Sequence, residues 1–131
     1  MEESLISCIV PVFNGERYLG ETLNSILAQT HQPLEIIIAD DGSTDGTNAI
    51  VARYGHHVRY LFQPNAGVAA CNLGLSAAHG DFVAFLSADD LWHPEKLALQ
   101  NARFQARPEL DISVAKVWSL NSPYCGSSVF L

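Results

Sequence analysis

Short β-branched apolar runs alternate along this chain with longer stretches of helical period, and that alternation constrains the fold more than any other feature. Strands separated by a helix's length cannot close as tight hairpins. They pair in parallel through crossover connections. The first run covers residues 5–12. Asn14 is placed to cap a helix whose Leu19, Leu23, Ile26 and Leu27 recur at helical spacing, and the segment THQP ends it. A second strand is expected over 34–39. The turn DGSTDGT then leads into a helix over 47–54 closed by Gly55, and a third strand covers 58–62. After the loop QPNAG, a small-residue helix over 68–78 stops at Gly80, and 81–86 reads as a fourth, fully buried strand. Pro94 suits a first helical turn, with Leu97, Asn101 and Phe104 on one helix face that ends near Pro108. Residues 110–117 suggest a fifth strand. The fold class is therefore α/β, one domain over 1–118 with an irregular tail over 119–131.

Composition narrows the function classes. A length of 131 residues supports one core, and 48% hydrophobic with 16% charged residues is the balance of a soluble globular domain. No apolar run approaches the roughly 20 residues that span a bilayer. A net charge of -7 with only 7 Lys+Arg argues against a nucleic-acid partner, because a phosphate backbone demands a basic stripe. The acidic opening Met1-Glu2-Glu3 lacks the basic region of a signal peptide, so the expected location is the cytoplasm, with peripheral membrane attachment left open for a full-length protein. Cys8, Cys71 and Cys125 are widely spaced without a C-x-x-C pair, and are expected to be reduced thiols.

In a parallel sheet every loop that follows a strand lies at one edge, where open α/β sheets bind ligands. Those loops hold Pro11-Val12-Phe13-Asn14, Asp40-Asp41-Gly42-Ser43, Asn65-Ala66-Gly67 and Ser87-Ala88-Asp89-Asp90. Two of the clusters are acidic pairs. The first strand is not followed by G-x-G-x-x-G, and no G-x-x-x-x-G-K-[ST] occurs, so neither dinucleotide nor P-loop chemistry fits. A phosphoacceptor pocket is disfavoured too, since the first strand ends on Phe13-Asn14 rather than an aspartate. Carboxylates at a sheet mouth suit a hard cation, Mg²⁺ or Mn²⁺, carried in by phosphate oxygens.

The segments CIVPVFNGERYLGETLNSILAQT, IIIADDGSTDGT, QPNAGVAACNLGL and GDFVAFLSADDLWHPEKL, in that order and spacing, resemble the nucleotide-binding half of a family 2 glycosyltransferase of the GT-A fold. The resemblance covers about residues 5–106. It implies a mostly parallel, Rossmann-like sheet flanked by helices and truncated relative to the family. It also implies an inverting transfer of sugar from a nucleotide diphosphate, commonly UDP, to an acceptor hydroxyl with a divalent metal. By position, Pro11, Val12, Phe13 and Glu16 would line base and ribose, Asp41 would accept from the pyrimidine ring N–H, and Asn65 and Gly67 would border the nucleotide. Ser87 and Ala88 occupy the first two positions of the family's D-x-D element, with Ser87 toward the ribose. Asp89, the last, would be the metal ligand. The implied partners are a nucleotide-sugar donor and an acceptor that is a saccharide, a lipid-linked sugar or a protein.

The sequence departs from the family pattern at three places. Ser87 replaces the first D-x-D aspartate, Cys71 stands where arginine is usual, and the chain ends before the family's acceptor site and catalytic base. The catalytic residue is therefore unknown, and the exposed apolar face of a truncated sheet suggests self-association. Plainer roles stand beside several of these assignments. Asp40 and Asp41 suit Asx turns, Asp90 suits a helix start, His93 an exposed cap, His56 and His57 solvent positions, Cys71 a small core filler, and Trp92 and Trp118 packing surface. Two other functions remain open: a noncatalytic or degenerate nucleotide-binding module, and a metal-dependent phosphatase-like hydrolase.

Overall fold

A computed structural model describes residues 3–64 and 69–116. The strands are β1 (Ile6–Val12), β2 (Leu34–Asp40), β3 (Arg59–Phe62) and β4 (Phe82–Phe85), and the helices α1 (Leu19–Leu27), α2 (Thr47–Ala52), α3 (Ala69–Ala77) and α4 (Lys96–Ala106). All pairings are parallel and the sheet order is β3-β2-β1-β4. The crossovers expected among the first four strands are present. Ile9 lies opposite both Ile37 and Phe85, which sets the relative register of β2, β1 and β4.

Alternation along β1 and β2 divides the core into two layers, because successive side chains of a strand leave on opposite faces. Cys8, Val10, Val12, Ile36 and Ile38 join Leu19, Leu23 and Ile26 of α1, Val51 of α2, Trp92 just before α4 and Leu97 of α4 in one cluster. Ile9, Ile37 and Ala39 are equally buried but face α3. A Cβ on Gly74 would sit 2.5 Å from Ile9 Cγ2 and 3.6 Å from the Ala39 Cβ, so the absent side chain lets α3 lie close on the sheet. The small-residue composition of this helix has its physical reason there.

The opposite, N-terminal edge of the sheet is latched by Glu35. Its Oε1 accepts from the Ser7 hydroxyl at 2.7 Å and the His79 backbone N–H at 2.9 Å. Its Oε2 lies 3.2 Å from Arg59 Nη1 and 2.9 Å from His79 Nδ1. Burial alone would raise the Glu35 carboxyl, but bonds from His79, Ser7 and Arg59 outweigh it and hold it down at about 2.

Four expectations need correction. β4 is not fully buried: Val83 and Phe85 are exposed while Phe82 and Ala84 are partly covered, because this strand ends the sheet among the described residues. A fifth strand over 110–117 is not formed by residues 110–116, where Ile112 is 78% exposed; Val117 lies outside the described residues. Asn14 does not cap α1, whose first turn follows Tyr18 without a side-chain cap. Pro94 precedes α4 rather than opening it, and its carbonyl accepts from the Thr30 N–H instead.

Candidate functional site

The order β3-β2-β1-β4 sends the chain one way from β1 to β2 and the other way to β4, so a crevice opens at the strand ends between β1 and β4. Pro11, Val12, Phe13 and Glu16 lie at the end of β1, Asp41 one residue past β2, and Ser87, Ala88 and Asp89 just past β4. Residues from three loops distant in sequence therefore share one rim. Asn65 and Gly67 lie outside the described residues, so the fourth predicted cluster has no structural account.

The β1 and β2 loops are tied by a dense set of hydrogen bonds. Asp41 N–H donates to the Val12 carbonyl at 2.9 Å. Asn14, in the left-handed region at φ 50, turns its Oδ1 to accept the N–H groups of Thr44 at 2.8 Å and Asp45 at 3.3 Å. Its own N–H donates to Ser43 Oγ at 2.8 Å. Gly15 N–H donates to Thr47 Oγ1 at 3.0 Å, and Gly46 N–H to Glu16 Oε2 at 2.7 Å. The Thr47 hydroxyl, together with backbone N–H groups, bonds Asp45 and lowers its carboxyl from the ordinary value. Instead of capping α1, Asn14 therefore bonds a loop thirty residues away.

Each acidic pair divides its labour. Asp40 is fully buried and accepts from the Ser43 N–H at 2.8 Å and from the Tyr60 hydroxyl. Burial, together with the Asp40 carboxylate, pushes the Tyr60 hydroxyl up. Asp40 is therefore structural. Asp41 is buried at the rim, where Gln63 Nε2 donates to its Oδ1 at 3.1 Å. Gln63 is a site residue the sequence reading passed over; the signal available was its position immediately after β3. In the second pair, Asp90 is anchored by its backbone, its N–H donating to the Ser87 carbonyl at 3.1 Å and its carbonyl accepting from Thr22 Oγ1 at 2.8 Å. Asp89 is exposed on the same tight turn.

Ala88 packs toward Gly15: a Cβ there would lie 3.5 Å from the Ala88 Cβ and collide with Val12 Cγ2. That contact closes the β4 loop onto the β1 loop. Phe13, about half exposed, stands at the rim as an apolar surface beside Asp41. His93 is exposed and its Nδ1 accepts the Glu95 N–H at 3.2 Å, as a residue that starts a helix. Trp92 is buried in the core, with Lys96 Nζ 4.6 Å over its ring. His56 and His57 are exposed, and Cys71 is only partly buried. Cys8 and Cys71 are free thiols, while Trp118 and Cys125 lie outside the described residues. Among the described residues no three His, Cys, Asp or Glu side chains are grouped to hold a metal by themselves. No described helix is long and apolar enough to cross a membrane.

Comparison with known proteins agrees with this geometry. The family described as Glycosyl transferase family 2 matches residues 7–121. An uncharacterized glycosyltransferase of Rickettsia typhi is 41% identical over 97 residues, 73% of this chain and 30% of that protein. A putative teichuronic acid biosynthesis glycosyltransferase, TuaG, of Bacillus subtilis is 42% identical over 101 residues, 73% of this chain and 40% of its own. Among solved structures, S. aureus TarS 1-349 in complex with UDP-GlcNAc superposes with a TM-score of 0.75 at 33% identity, over 79% of this chain and 32% of that one. The mannosyltransferase PcManGT from Pyrobaculum calidifontis, in complex with GDP-Man and Mn²⁺, gives 0.68 at 29% identity, over 79% of this chain and 32% of that one. This chain thus spans well under half the length of these relatives. With a parallel sheet, a rim built at its switch point and a family match over most of its length, the chain belongs to glycosyl transferase family 2 and carries the GT-A fold.

Proposed function

We propose that this chain is the donor-nucleotide half of an inverting, metal-dependent glycosyltransferase, and that its rim binds a UDP-sugar. The observation that carries the reading is the joining of three loops at the switch point, with Asp41 and Asp89 on the same sheet edge. In this reading Pro11, Val12 and Phe13 line the base and Asp41 accepts from the pyrimidine N–H. Asn65 and Gly67 border the nucleotide, and Ser87 and Ala88 flank the ribose. Glu16 lines the base and ribose with Pro11, Val12 and Phe13, its Oε2 also accepting from the Gly46 N–H. A neighbour solved with UDP-GlcNAc supports a uridine donor, although another was solved with GDP-Man.

The residues present suit a metal that arrives with its ligand. Asp89 offers one exposed hard oxygen donor and Ser87 a hydroxyl, whereas a preformed cage would require more carboxylates than the described residues group together. Mg²⁺ or Mn²⁺, when bound, would neutralise the diphosphate, a task for which this acidic rim has few lysines. What the chain itself does is orient the nucleotide and hold the Asp89 carboxylate outward on a turn fixed by the Ser87 and Thr22 bonds.

Titration calorimetry with UDP, with and without Mn²⁺, tests the reading. We expect binding that weakens at least tenfold on chelation. Asp89→Asn should remove that dependence, and Asp90→Asn should keep it, because Asp90 works through its backbone. Equal affinity with and without metal would refute the role of Asp89.

A further inference from the structure

On the proposed reading of Asp89 as a metal ligand, on which this inference rests, we propose that Thr22, Ser25 and Gln29 are positioning residues for the metal. They form a polar row, along α1 and just past its end, that holds the segment bearing Asp89. Residues 86–95 join β4 to α4 outside any strand or helix, so their backbone N–H and C=O groups have no ladder to satisfy them. Side chains of the row take that place. The Thr22 hydroxyl donates to the Asp90 carbonyl at 2.8 Å. The Ser25 hydroxyl donates to the Thr22 carbonyl at 2.7 Å and accepts the Trp92 N–H at 3.2 Å. Gln29 Nε2 donates to the His93 carbonyl at 2.8 Å, and its Oε1 accepts the Leu97 N–H at 3.1 Å. A backbone bond from the Thr30 N–H to the Pro94 carbonyl, at 2.9 Å, continues the row. Thr22, Ser25 and Gln29 thus meet residues 90, 92 and 93 in the same order along both segments.

Packing alone does not call for polar atoms here. Thr22 is fully buried and Gln29 is 5% exposed, beside the apolar face of α1 that joins the core. Burying a hydroxyl or a carboxamide is unfavourable unless it is bonded, and these are bonded to one segment. Trp92 and Leu97 already tie that segment to the core cluster. Apolar contact is non-directional, however, whereas donors and acceptors in a fixed order set the register of what they hold. Gln29 also supplies what α4 lacks. Glu95, at the start of that helix, makes no side-chain cap, and the Leu97 N–H of the first turn is taken by Gln29 instead.

The consequence falls on Asp89. The Leu86 N–H donates to the Ile9 carbonyl at 3.0 Å, which ties the near side of the turn to β1. The Asp90 N–H closes the turn on the Ser87 carbonyl at 3.1 Å, and Thr22 ties its far side to α1. Asp89 stands exposed between these two anchors, so its place on the rim is set before a cation arrives. No three His, Cys, Asp or Glu side chains among the described residues form a cage. The placement of this one carboxylate therefore governs what the protein offers the metal.

Titration calorimetry of the 131-residue chain with UDP, with and without Mn²⁺, reads the affinity gained from the metal. Amide hydrogen exchange of the metal-free chain reads the segment directly. Thr22→Val keeps the β-branched shape without the hydroxyl, Ser25→Ala removes the acceptor of the Trp92 N–H, and Thr22→Ser keeps the hydroxyl. In Thr22→Val and Ser25→Ala the metal-dependent gain should fall about tenfold, the usual scale for losing a group that orients a metal ligand. Metal-free UDP affinity should stay within twofold of wild type. The Asp90 amide in Thr22→Val and the Trp92 amide in Ser25→Ala should exchange faster, with circular dichroism unchanged. Thr22→Ser should keep the gain. If Thr22→Val loses its circular dichroism, the partly buried Ser25→Ala decides. A row that only supports the fold would lower the unfolding midpoint and weaken UDP equally with and without Mn²⁺; that result would overturn the proposal. A full metal gain in both variants, with a metal-dependent wild type, would overturn it too and leave the reading of Asp89 standing. A wild-type chain that binds UDP equally with and without Mn²⁺ would refute both.

Discussion

Asn14 shows how one side chain can set the geometry of a site without touching a ligand. Its left-handed φ is one that asparagine tolerates better than most residues, and its Oδ1 gathers two N–H groups of the neighbouring loop. Asn14→Ala strains the backbone and strands those donors, so we expect a loss of roughly 1–3 kcal/mol in denaturant unfolding. Asn14→Gly relieves the strain and should recover part of it. If both variants unfold with wild-type midpoints, the loops are not coupled through this residue. Gly74 makes a packing argument at the same scale. Alanine improves helix propensity by about 1 kcal/mol, yet its Cβ meets Ile9 Cγ2 at 2.5 Å, and overpacking of that kind costs roughly 1–3 kcal/mol. Gly74→Ala should therefore lower the melting temperature, and much less so in an Ile9→Ala background, where the obstructing methyl is gone.

At the scale of elements, the Glu35 latch joins the starts of β1, β2 and β3 to the end of α3. The folded carboxyl is held at about 2, below its ordinary value of 4.5. Its contribution is fully present above pH 4.5 and disappears as the pH falls toward 2, since protonation then favours the unfolded chain. We expect acid to destabilise the fold across that window, and Glu35→Gln to flatten the pH dependence while lowering stability at neutral pH. Chemical denaturation of both proteins from pH 2 to 7 is the measurement. An unchanged slope in the variant would show that other carboxylates govern acid unfolding.

The whole molecule carries the proposed donor rim, and the chain spans less than half the length of its relatives. Asp41 and Asp89 are committed to nucleotide and metal in the proposed function, and Asp40 is buried beneath them with both of its oxygens bonded. A base within reach of an acceptor hydroxyl is required for inverting transfer, and holding the acceptor in place supplies much of the rate. The 131-residue chain is therefore expected to bind nucleotide sugar without glycosylating an acceptor. Turnover near 1 per second, an ordinary enzyme rate, would show that the catalytic set is complete within it.

By itself the sequence determined the alternation of strands and helices, the parallel sheet and the edge at which the acidic pairs collect. Those follow from apolar period and chain direction, which are local properties. The helical spacing within α1, the extent of α3 and the common helical face of Leu97, Asn101 and Phe104 were legible for the same reason. Only the tertiary structure decided which aspartate of each pair was structural. Asp40 and Asp41 are adjacent and chemically alike, but one turns under the sheet toward Tyr60 and the other meets Gln63 at the rim. The partner of Asn14 was equally invisible, because a turn asparagine bonds whatever the fold brings to it. The burial of β4 could not be read either. Its residues 82–86 are as apolar as a central strand, and whether they end the sheet depends on strand order, a long-range outcome that no local pattern encodes.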